Sequence, residues 1–402
     1  MRARKILLIQ FSDFGLGRGL YIAKALSRLG LNVVVITNEP VYTSGNSSLK
    51  NIDPDVEIVK VKIPLPKVLY NLILGRLIFY LMFSLLSFLR IMVEKPRPQL
   101  IYSRGPNPFT ELVCSIYKLL NRDVKIISDT TDIWPDALKY IEMSDTAKNF
   151  LILLGHVLNR ICYANVDAIV TLNEMMARVL KNRFRKDVYI IHGAIDLDSF
   201  KPLDKKEALS LMPKNLRDKI AGKFVILYAG LLGYFQDPAI IIELAKRINI
   251  EDVLFLIVGA GSLRRQMELD VEKLKLKNVV FLGSQPHEKM PLIYGLADVF
   301  IFTLRKNSFL SNAVPKKFIE YAACGKPILC VTPPCIASSL CLEWGAGYWF
   351  DPEKMDDVVK IIISMREDER MRKALGKNAR KMAEELFSID NVAKVLEGII
   401  FS

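Results

Sequence analysis

The sequence predicts two α/β domains, each built on a parallel sheet. Three observations carry this. Short, almost unbroken Val/Ile/Leu runs alternate with longer helical patterns, as expected of strands covered on both faces. The alternation breaks after His192 and restarts at Phe224. And 402 residues exceed the size at which one hydrophobic core usually stops growing.

The strands expected in the first domain are Ile6–Phe11, Val33–Thr37, Glu57–Val61, Leu100–Ser103, Val124–Ser128, Ala168–Thr171 and Val188–Ile191. Most are separated by enough chain for a helix. A polar, charged stretch from about 195 to 222 reads as a linker. The second domain then predicts strands Phe224–Ala229, Leu254–Val258, Val279–Leu282, Val299–Thr303 and Ile328–Val331. The final segment places Ile389, Val392, Val395 and Leu396 at helical spacing, on a helix able to return to the first domain. The domain boundaries expected are therefore 1–196, 197–385 and a C-terminal helix at 386–402.

Residues 68–93, V-L-Y-N-L-I-L-G-R-L-I-F-Y-L-M-F-S-L-L-S-F-L-R-I-M-V, are nearly long enough to span a bilayer. Asn71 and Arg76 interrupt the run, and Lys67, Lys95 and Arg97 flank it. A spanning helix would put the strands before and after it on opposite sides of the membrane, where they could not share a sheet. The reading is therefore a helix at a membrane interface with cations at headgroup level, with an ordinary buried helix as the alternative.

The chain carries 56 Lys and Arg against 43 Asp and Glu, a net charge of +13. Residues 1–200 hold 26 basic and 18 acidic side chains, and the rest hold 30 and 25. That balance suits an anionic partner such as a phospholipid surface or a nucleotide, or serves solubility alone. No basic stripe with interleaved aromatics appears, which argues against nucleic acid. Six cysteines fit no metal-ligand spacing, so no metal site is expected. Buried thiols are the simple reading, with a Cys335–Cys341 disulfide open in an oxidising setting. The N-terminal apolar run is short and ends at Asp13, which fits a first strand and not a signal peptide.

Candidate site residues gather at strand ends. F-S-D-F-G-L-G-R-G-L follows the first strand, and Gly15, Leu16, Gly17 and Arg18 form a tight turn or a phosphate loop. It is not the dinucleotide fingerprint, because Leu20 occupies the third glycine position. D-T-T-D-I-W-P-D-A-L, starting at Asp129, places Asp132 beside Trp134. That carboxylate either activates a hydroxyl in a low-polarity site or, like Asp129, caps a helix. In the second domain Gly230, Gly233, Gly259 and Gly261 make further turns at strand ends. Two glycine-loop sites suggest a cleft between domains.

N-A-V-P-K-K-F-I-E-Y-A-A-C-G-K-P-I-L, Asn312 to Leu329, sets one carboxylate, Glu320, among apolar residues. Pro315 suits a first helical position, and the helix is expected from there to Cys324. Its N-terminus, with Lys316 and Lys317, is an anion site. One turn on, Glu320 is placed to accept two hydrogen bonds from a vicinal diol such as ribose. Phosphate and diol together describe a nucleoside diphosphate. A surface glutamate on a half-buried helix is the alternative.

These segments, with F-L-I-V-G-A-G-S-L-R-R, N-V-V-F-L-G-S-Q-P and H-G-A-I-D-L-D-S-F-K-P, resemble glycosyltransferase family 4 over nearly the whole chain, most closely over 223–335. D-I-W-P-D resembles the branch that builds surface polysaccharides and lipid-linked glycans. The resemblance implies an α/β GT-B fold of two Rossmann-like domains whose parallel sheets face an interdomain cleft, and retaining transfer. By position it implies ribose binding by Glu320, diphosphate contact by Lys317, and base contact near Ser284 and Gln285. Gly15 and Gly17 fall near donor phosphates and acceptor.

The family's first motif glutamate is Asn312 here, and the basic pair usual after the first strand of the second domain is missing from G-L-L-G-Y-F-Q-D-P. Arg305, Lys316, Lys317 or Arg264 are candidates to substitute. The acceptor-side histidine is also missing, with Asp132 in its stead. Donor binding is thus expected of Glu320, Asn312, Ala313, Val314, Lys316, Gly230, Gly233, Gly259, Gly261, Arg264, Ser284 and Gln285. Catalysis is expected of Asp132, Lys317 and Arg305. The expected partners are a nucleotide sugar, UDP before GDP, a lipid-linked acceptor and a membrane surface. The expected location is the inner face of the cell membrane, with no cofactor. A GT-B nucleotide-sugar epimerase and a non-catalytic nucleotide-sugar-binding protein at the membrane are the competing readings.

Overall fold

The computed structural model describes residues 5–11, 17–38, 56–71, 73–105, 107–131, 135–136, 144–306 and 313–401. The chain divides into two compact units, Met1–Ala194 with Ile389–Ser402, and Ile195–Ser388.

In unit 1, seven parallel strands are joined by helices: β1 (Lys5–Gln10), α1 (Arg18–Arg28), β2 (Asn32–Asn38), β3 (Val56–Val61), α2 (Ile73–Val93), β4 (Leu100–Arg104), α3 (Pro108–Leu120), β5 (Lys125–Asp129), α4 (Asp145–Tyr163), β6 (Ala168–Thr171), α5 (Glu174–Phe184) and β7 (Asp187–Ile190). The strand order is β3-β2-β1-β4-β5-β6-β7. Side chains alternate between faces along each strand. Ile6, Leu8, Val33 and Val35 pack with Ile22 and Leu26 of α1. They also meet Ile389, Val392 and Leu396 of the last helix in the chain, 389–401. Leu7, Ile9, Val34 and Ile36 pack on the other face with Phe79 and Phe83 of α2, Cys114 and Tyr117 of α3, and Cys162 of α4.

Unit 2 carries α6 (Lys205–Ser210), α7 (Lys214–Ile220), β8 (Phe224–Ala229), α8 (Ala239–Arg247), β9 (Val253–Val258), α9 (Arg264–Lys273), β10 (Val279–Gly283), α10 (Met290–Gly295), β11 (Val299–Thr303), α11 (Lys316–Ala323), β12 (Ile328–Val331), α12 (Ile336–Glu343), β13 (Gly347–Phe350), α13 (Met355–Glu367) and α14 (Glu369–Met382). The final helix of the chain, in unit 1, is α15 (Ile389–Phe401). The six parallel strands run in the order β10-β9-β8-β11-β12-β13. Both sheets are therefore doubly wound, with the order reversing between β1 and β4, and between β8 and β11. Ligands of open α/β sheets bind at such reversal points, beyond the strands' carboxyl ends.

Three expectations change. The linker around 195–222 contains α6 and α7, whose Ala208, Leu216 and Ile220 are buried in the unit 2 core. Polar residues on the outer faces of these short helices hid their apolar anchors. β13 went unseen because four residues opened by a glycine carry little pattern. Pro315 is the N-cap of α11 in extended geometry, not its first helical residue. The six cysteines are free and buried, and Cys335 caps α12.

α2 is long and apolar enough to cross a membrane by length and composition. Yet β3 and β4, on either side of it, lie in one sheet, and its Phe79, Phe83 and Ile91 are buried against that sheet. The helix lies along unit 1.

Candidate functional site

The site in unit 2 is built at the reversal between β8 and β11. Loops leaving β8, β9 and β10 are laced together by main-chain bonds. Gly230 N–H donates to Val258 O at 2.9 Å, Leu232 N–H to Ala260 O at 2.8 Å, and Gly259 N–H to Gly283 O at 2.9 Å. Glycine is required at two of these positions. A Cβ on Gly259, at φ +144°, falls 1.9 Å from Gly230 O, and one on Gly261, at φ +158°, falls 2.2 Å from Leu232 O. Backbone thus approaches backbone too closely for any side chain.

α11 follows. Pro315 offers no side-chain cap, and no acidic residue stands in the first turn, so the positive end of the helix is not neutralised locally. Tyr321 anchors the helix to the end of β8. Its hydroxyl accepts from Ala229 N–H at 2.7 Å and donates to Ala229 O at 3.0 Å. Phe318, Ala322 and Ala323 supply the apolar packing.

Glu320 is buried, but its carboxylate is not in hydrocarbon. Tyr294 O–H donates to Oε2 at 2.7 Å, His287 Nε2 lies 3.0 Å from Oε1, and Lys316 Nζ lies 3.6 Å from Oε1. A carboxylate has about four acceptor sites, so both oxygens keep lone pairs for further donors. His287 and Lys316 are half-exposed, which marks the side from which a ligand reaches Glu320. Burial and the neighbouring Glu320 hold the Tyr294 phenol well above its usual range.

Lys317 faces the other way. Its amine donates to Tyr228 O–H at 3.1 Å, 4.3 Å from that ring's centroid and 5.2 Å from Phe302's. It lies against the open side of Gly230, where an added Cβ would sit 3.6 Å from Nζ. Among the described residues no carboxylate pairs with it. Burial lowers its pKa to about 7. A half-buried amine beside a bare glycine backbone, with no anion of its own, is a cation whose counter-ion is brought by a ligand.

Arg305, just beyond β11, stacks 3.7 Å over Tyr234 and reaches Asp237 Oδ1 at 3.3 Å. Its backbone N–H donates to Phe235 O at 3.0 Å, so the arginine is sewn to the loop that begins at Gly230. Gly233 caps the short 3₁₀ turn Tyr234–Gln236 of the same loop. Arg264 opens α9 and pairs with Glu268 at 2.8 Å. Gln285 Nε2 donates to Leu282 O at 2.9 Å, and Ser284 beside it is exposed. Ala313 is half-exposed and Val314 buried.

The structure therefore gathers Glu320, Lys316 and Lys317 on α11, with Gly230, Gly259 and Gly261 below. Gly15, Leu16, Asp132 and Asn312 lie outside the described residues. In unit 1, Gly17 caps α1 without a side-chain bond. Arg18 does not project from that loop. Its guanidinium grips Asp129, Nε to Oδ1 at 3.1 Å and to Oδ2 at 2.8 Å, and Nη1 donates to Ile191 O at 2.6 Å. Asp129, at the end of β5, is thereby an ion-pair partner and not a helix cap.

Sequence reading missed His287, Tyr294, Tyr228, Tyr321 and Tyr234. The four tyrosines sit in apolar runs where an aromatic reads as core. His287, one of three histidines in the chain, was the available signal.

Comparison with known proteins gives a consistent picture. The family model of Glycosyl transferases group 1 matches residues 214–382, and that of Glycosyltransferase Family 4 matches residues 19–199. The uncharacterized glycosyltransferase MJ1069 of Methanocaldococcus jannaschii is 21% identical over 279 residues, 65% of this chain and 66% of that protein. The O-antigen chain mannosyltransferase C of Escherichia coli is 23% identical over 176 residues, 44% of this chain and 46% of that protein. The match to the first curated relatives thus spans less than two thirds of their length. Among solved structures, Alr3699/HepE of Anabaena in complex with UDP superposes with a TM-score of 0.69 at 15% identity, covering 99% of both chains. The lipopolysaccharide glycosyltransferase WaaG gives 0.63 at 13% identity, covering 98% of this chain and 99% of that one. Two Rossmann-like units of the GT-B fold are common to them.

Proposed function

The chain belongs to glycosyltransferase family 4, and from that premise we propose that it transfers a hexose or N-acetylhexosamine from a nucleoside diphosphate, UDP before GDP, to a lipid-linked glycan acceptor with retention of anomeric configuration. The observation that carries the reading is α11. It sets a hydrogen-bonded carboxylate with open acceptor sites, Glu320, on one side, and a half-buried amine with no carboxylate partner at a bare glycine loop, Lys317, on the other. A ribose diol fits the first and a diphosphate the second. HepE, of the same fold, is a complex with UDP and with UDP-glucose, which supports UDP as the ligand to test first.

In the reaction the bond from the anomeric carbon to the diphosphate oxygen breaks and the diphosphate leaves with the electron pair. Lys317, the Gly230 backbone and the α11 N-terminus oppose the charge that builds there. Arg305, held over Tyr234, is the second cation. The acceptor hydroxyl forms the new bond on the face the diphosphate leaves, and its proton passes to Asp132, our proposed acceptor base. We take this front-side path in preference to a double displacement through an enzyme carboxylate. We place the protein peripherally on the inner face of the cell membrane, with α2 at the interface.

The test is a thermal-shift panel of UDP- and GDP-sugars, followed by transfer to lipid-linked acceptors with the donor that binds. A donor at a hundred times its Kd stabilises the fold by about 2.7 kcal/mol. Stabilisation by no nucleotide sugar contradicts the reading. Release of an altered sugar nucleotide without acceptor makes the protein an epimerase instead.

A further inference from the structure

α4 is an amphipathic helix worn inside out. Phe150, Leu153, Leu154, Val157 and Ile161 recur at the spacing that usually marks a core-facing stripe. Here they are 52–64% exposed. The face α4 turns to the sheet carries Gly155, Asn159, Cys162 and Tyr163, all buried. Tyr163 and Leu158 pack on the core beside the small and polar Gly155 and Asn159, while five large apolar residues point outward, which burial alone would not select.

The stripe is not isolated. α2, α3 and α4 cover one face of the unit 1 sheet, with α3 packed against both of the others. On the outer side, α2 exposes Leu81, Leu85, Leu89 and Met92, and α3 exposes Ile116, Leu119 and Leu120. The helix layer is apolar on both of its sides. A soluble protein seldom leaves an apolar face of this extent to water unless something covers it.

The charges around the face say what. From residue 73 to 93, 112 to 120 and 146 to 163 the three helices contain no carboxylate. Glu111 of α3 is buried, and Asp145, the first residue of α4, is the one exposed acid on the three helices among the described residues. Exposed cations on and beside these helices outnumber exposed acids, with Arg76, Lys95, Arg97, Arg122 and Arg160 against Asp123, Asp145 and Asp167. An apolar plane whose helices carry almost no acid and whose borders hold more cations than anions complements an anionic bilayer surface. A protein partner or a second copy of the same face would have to bring the opposite charges, and the second copy cannot.

We propose that α4 is a second membrane-seating helix, and that α2, α3 and α4 together form a three-helix plane on which unit 1 lies in the headgroup–acyl boundary of an anionic leaflet. This rests on the reading of α2 as interfacial and adds the other two helices to it. The plane fixes two directions of unit 1 against the membrane, where a single helix would leave the unit free to roll about its axis.

The test is co-flotation of the full chain with mixed phosphatidylcholine–phosphatidylglycerol vesicles, with pure phosphatidylcholine vesicles for comparison. Two double variants are compared, Leu81→Glu with Leu85→Glu on α2, and Leu153→Glu with Leu154→Glu on α4. All four positions are exposed, so unchanged thermal melting is expected of both. The proposal expects wild type on the anionic vesicles, and a loss of vesicle-bound fraction of about tenfold or more in each variant. Loss in the α2 variant alone overturns the role of α4 and leaves α2 standing. Wild type remaining in solution overturns both. A dimer in solution that the α4 variant makes monomeric, without vesicle binding, assigns the face to self-association. No arm uses a nucleotide sugar, so the outcome is independent of the donor chemistry.

Discussion

Replacing Lys317 with methionine should stabilise the protein while disabling it. The two side chains have similar length, and Tyr228 keeps its own bond to Leu231 O when the amine is gone. Burial holds the amine at about pH 7 instead of the ordinary 10.5. At face value that costs about 5 kcal/mol below pH 7, where the unfolded and folded chains are both protonated and the folded one bears a buried charge. The side chain keeps part of its surface in water, which screens the charge, so about 2–3 kcal/mol is expected. For a unit of this size that corresponds to roughly 5–10 °C in melting temperature. The sign against pH follows from the lowered value. Between about 7 and 10.5 the unfolded chain holds more protons at this position, so wild-type stability rises with pH and the advantage of Lys317→Met shrinks to nothing. The assay is paired thermal melts from about pH 6 to about pH 10, with UDP titrations of both proteins. A variant that melts at or below wild type near pH 6 refutes the unpaired-cation argument. Stabilisation without loss of UDP binding refutes the diphosphate role.

Glu320→Gln removes the charge that accepts the ribose hydroxyls, and should weaken UDP binding by about 1.5–3 kcal/mol, roughly 10- to 150-fold by calorimetry. Unchanged affinity removes Glu320 from the nucleotide site. Gly259→Ala drives a Cβ into Gly230 O at 1.9 Å and should cost about 3 kcal/mol or more, read as a lower midpoint in urea. Asp129→Asn leaves the Arg18 guanidinium buried without its anion, and should destabilise by about 3–5 kcal/mol in the same assay.

How much of this was legible in the sequence depends on what each residue's role leaves behind. Most of the twelve strands that were expected are nearly unbroken apolar runs, since both faces of each sheet are covered, while the edge strand β3 carries Glu57 and Lys60 and is only partly buried. β13 is short and starts at a glycine, and it is held by pairing with β12, which no local pattern records. α11 was legible because a proline, two lysines and one carboxylate in apolar company are an unusual combination. The partners that make Glu320 acceptable in a core were not, since Tyr294 and His287 lie 26 and 33 residues away and meet it only in the fold. Arg18 misled because a basic residue after a glycine turn reads as a phosphate ligand, while its carboxylate partner is 111 residues distant. The outward apolar stripe of α4 could not be seen at all. Periodicity tells that a helix has an apolar side, and only the packed structure tells which way that side points.

A crystal structure of the protein with UDP tests the central claim most directly. The account predicts the ribose hydroxyls on Glu320 and the diphosphate between the Gly230 loop, Lys317 and the start of α11. UDP bound elsewhere in unit 2, with Glu320 still holding only Tyr294, His287 and Lys316, contradicts it.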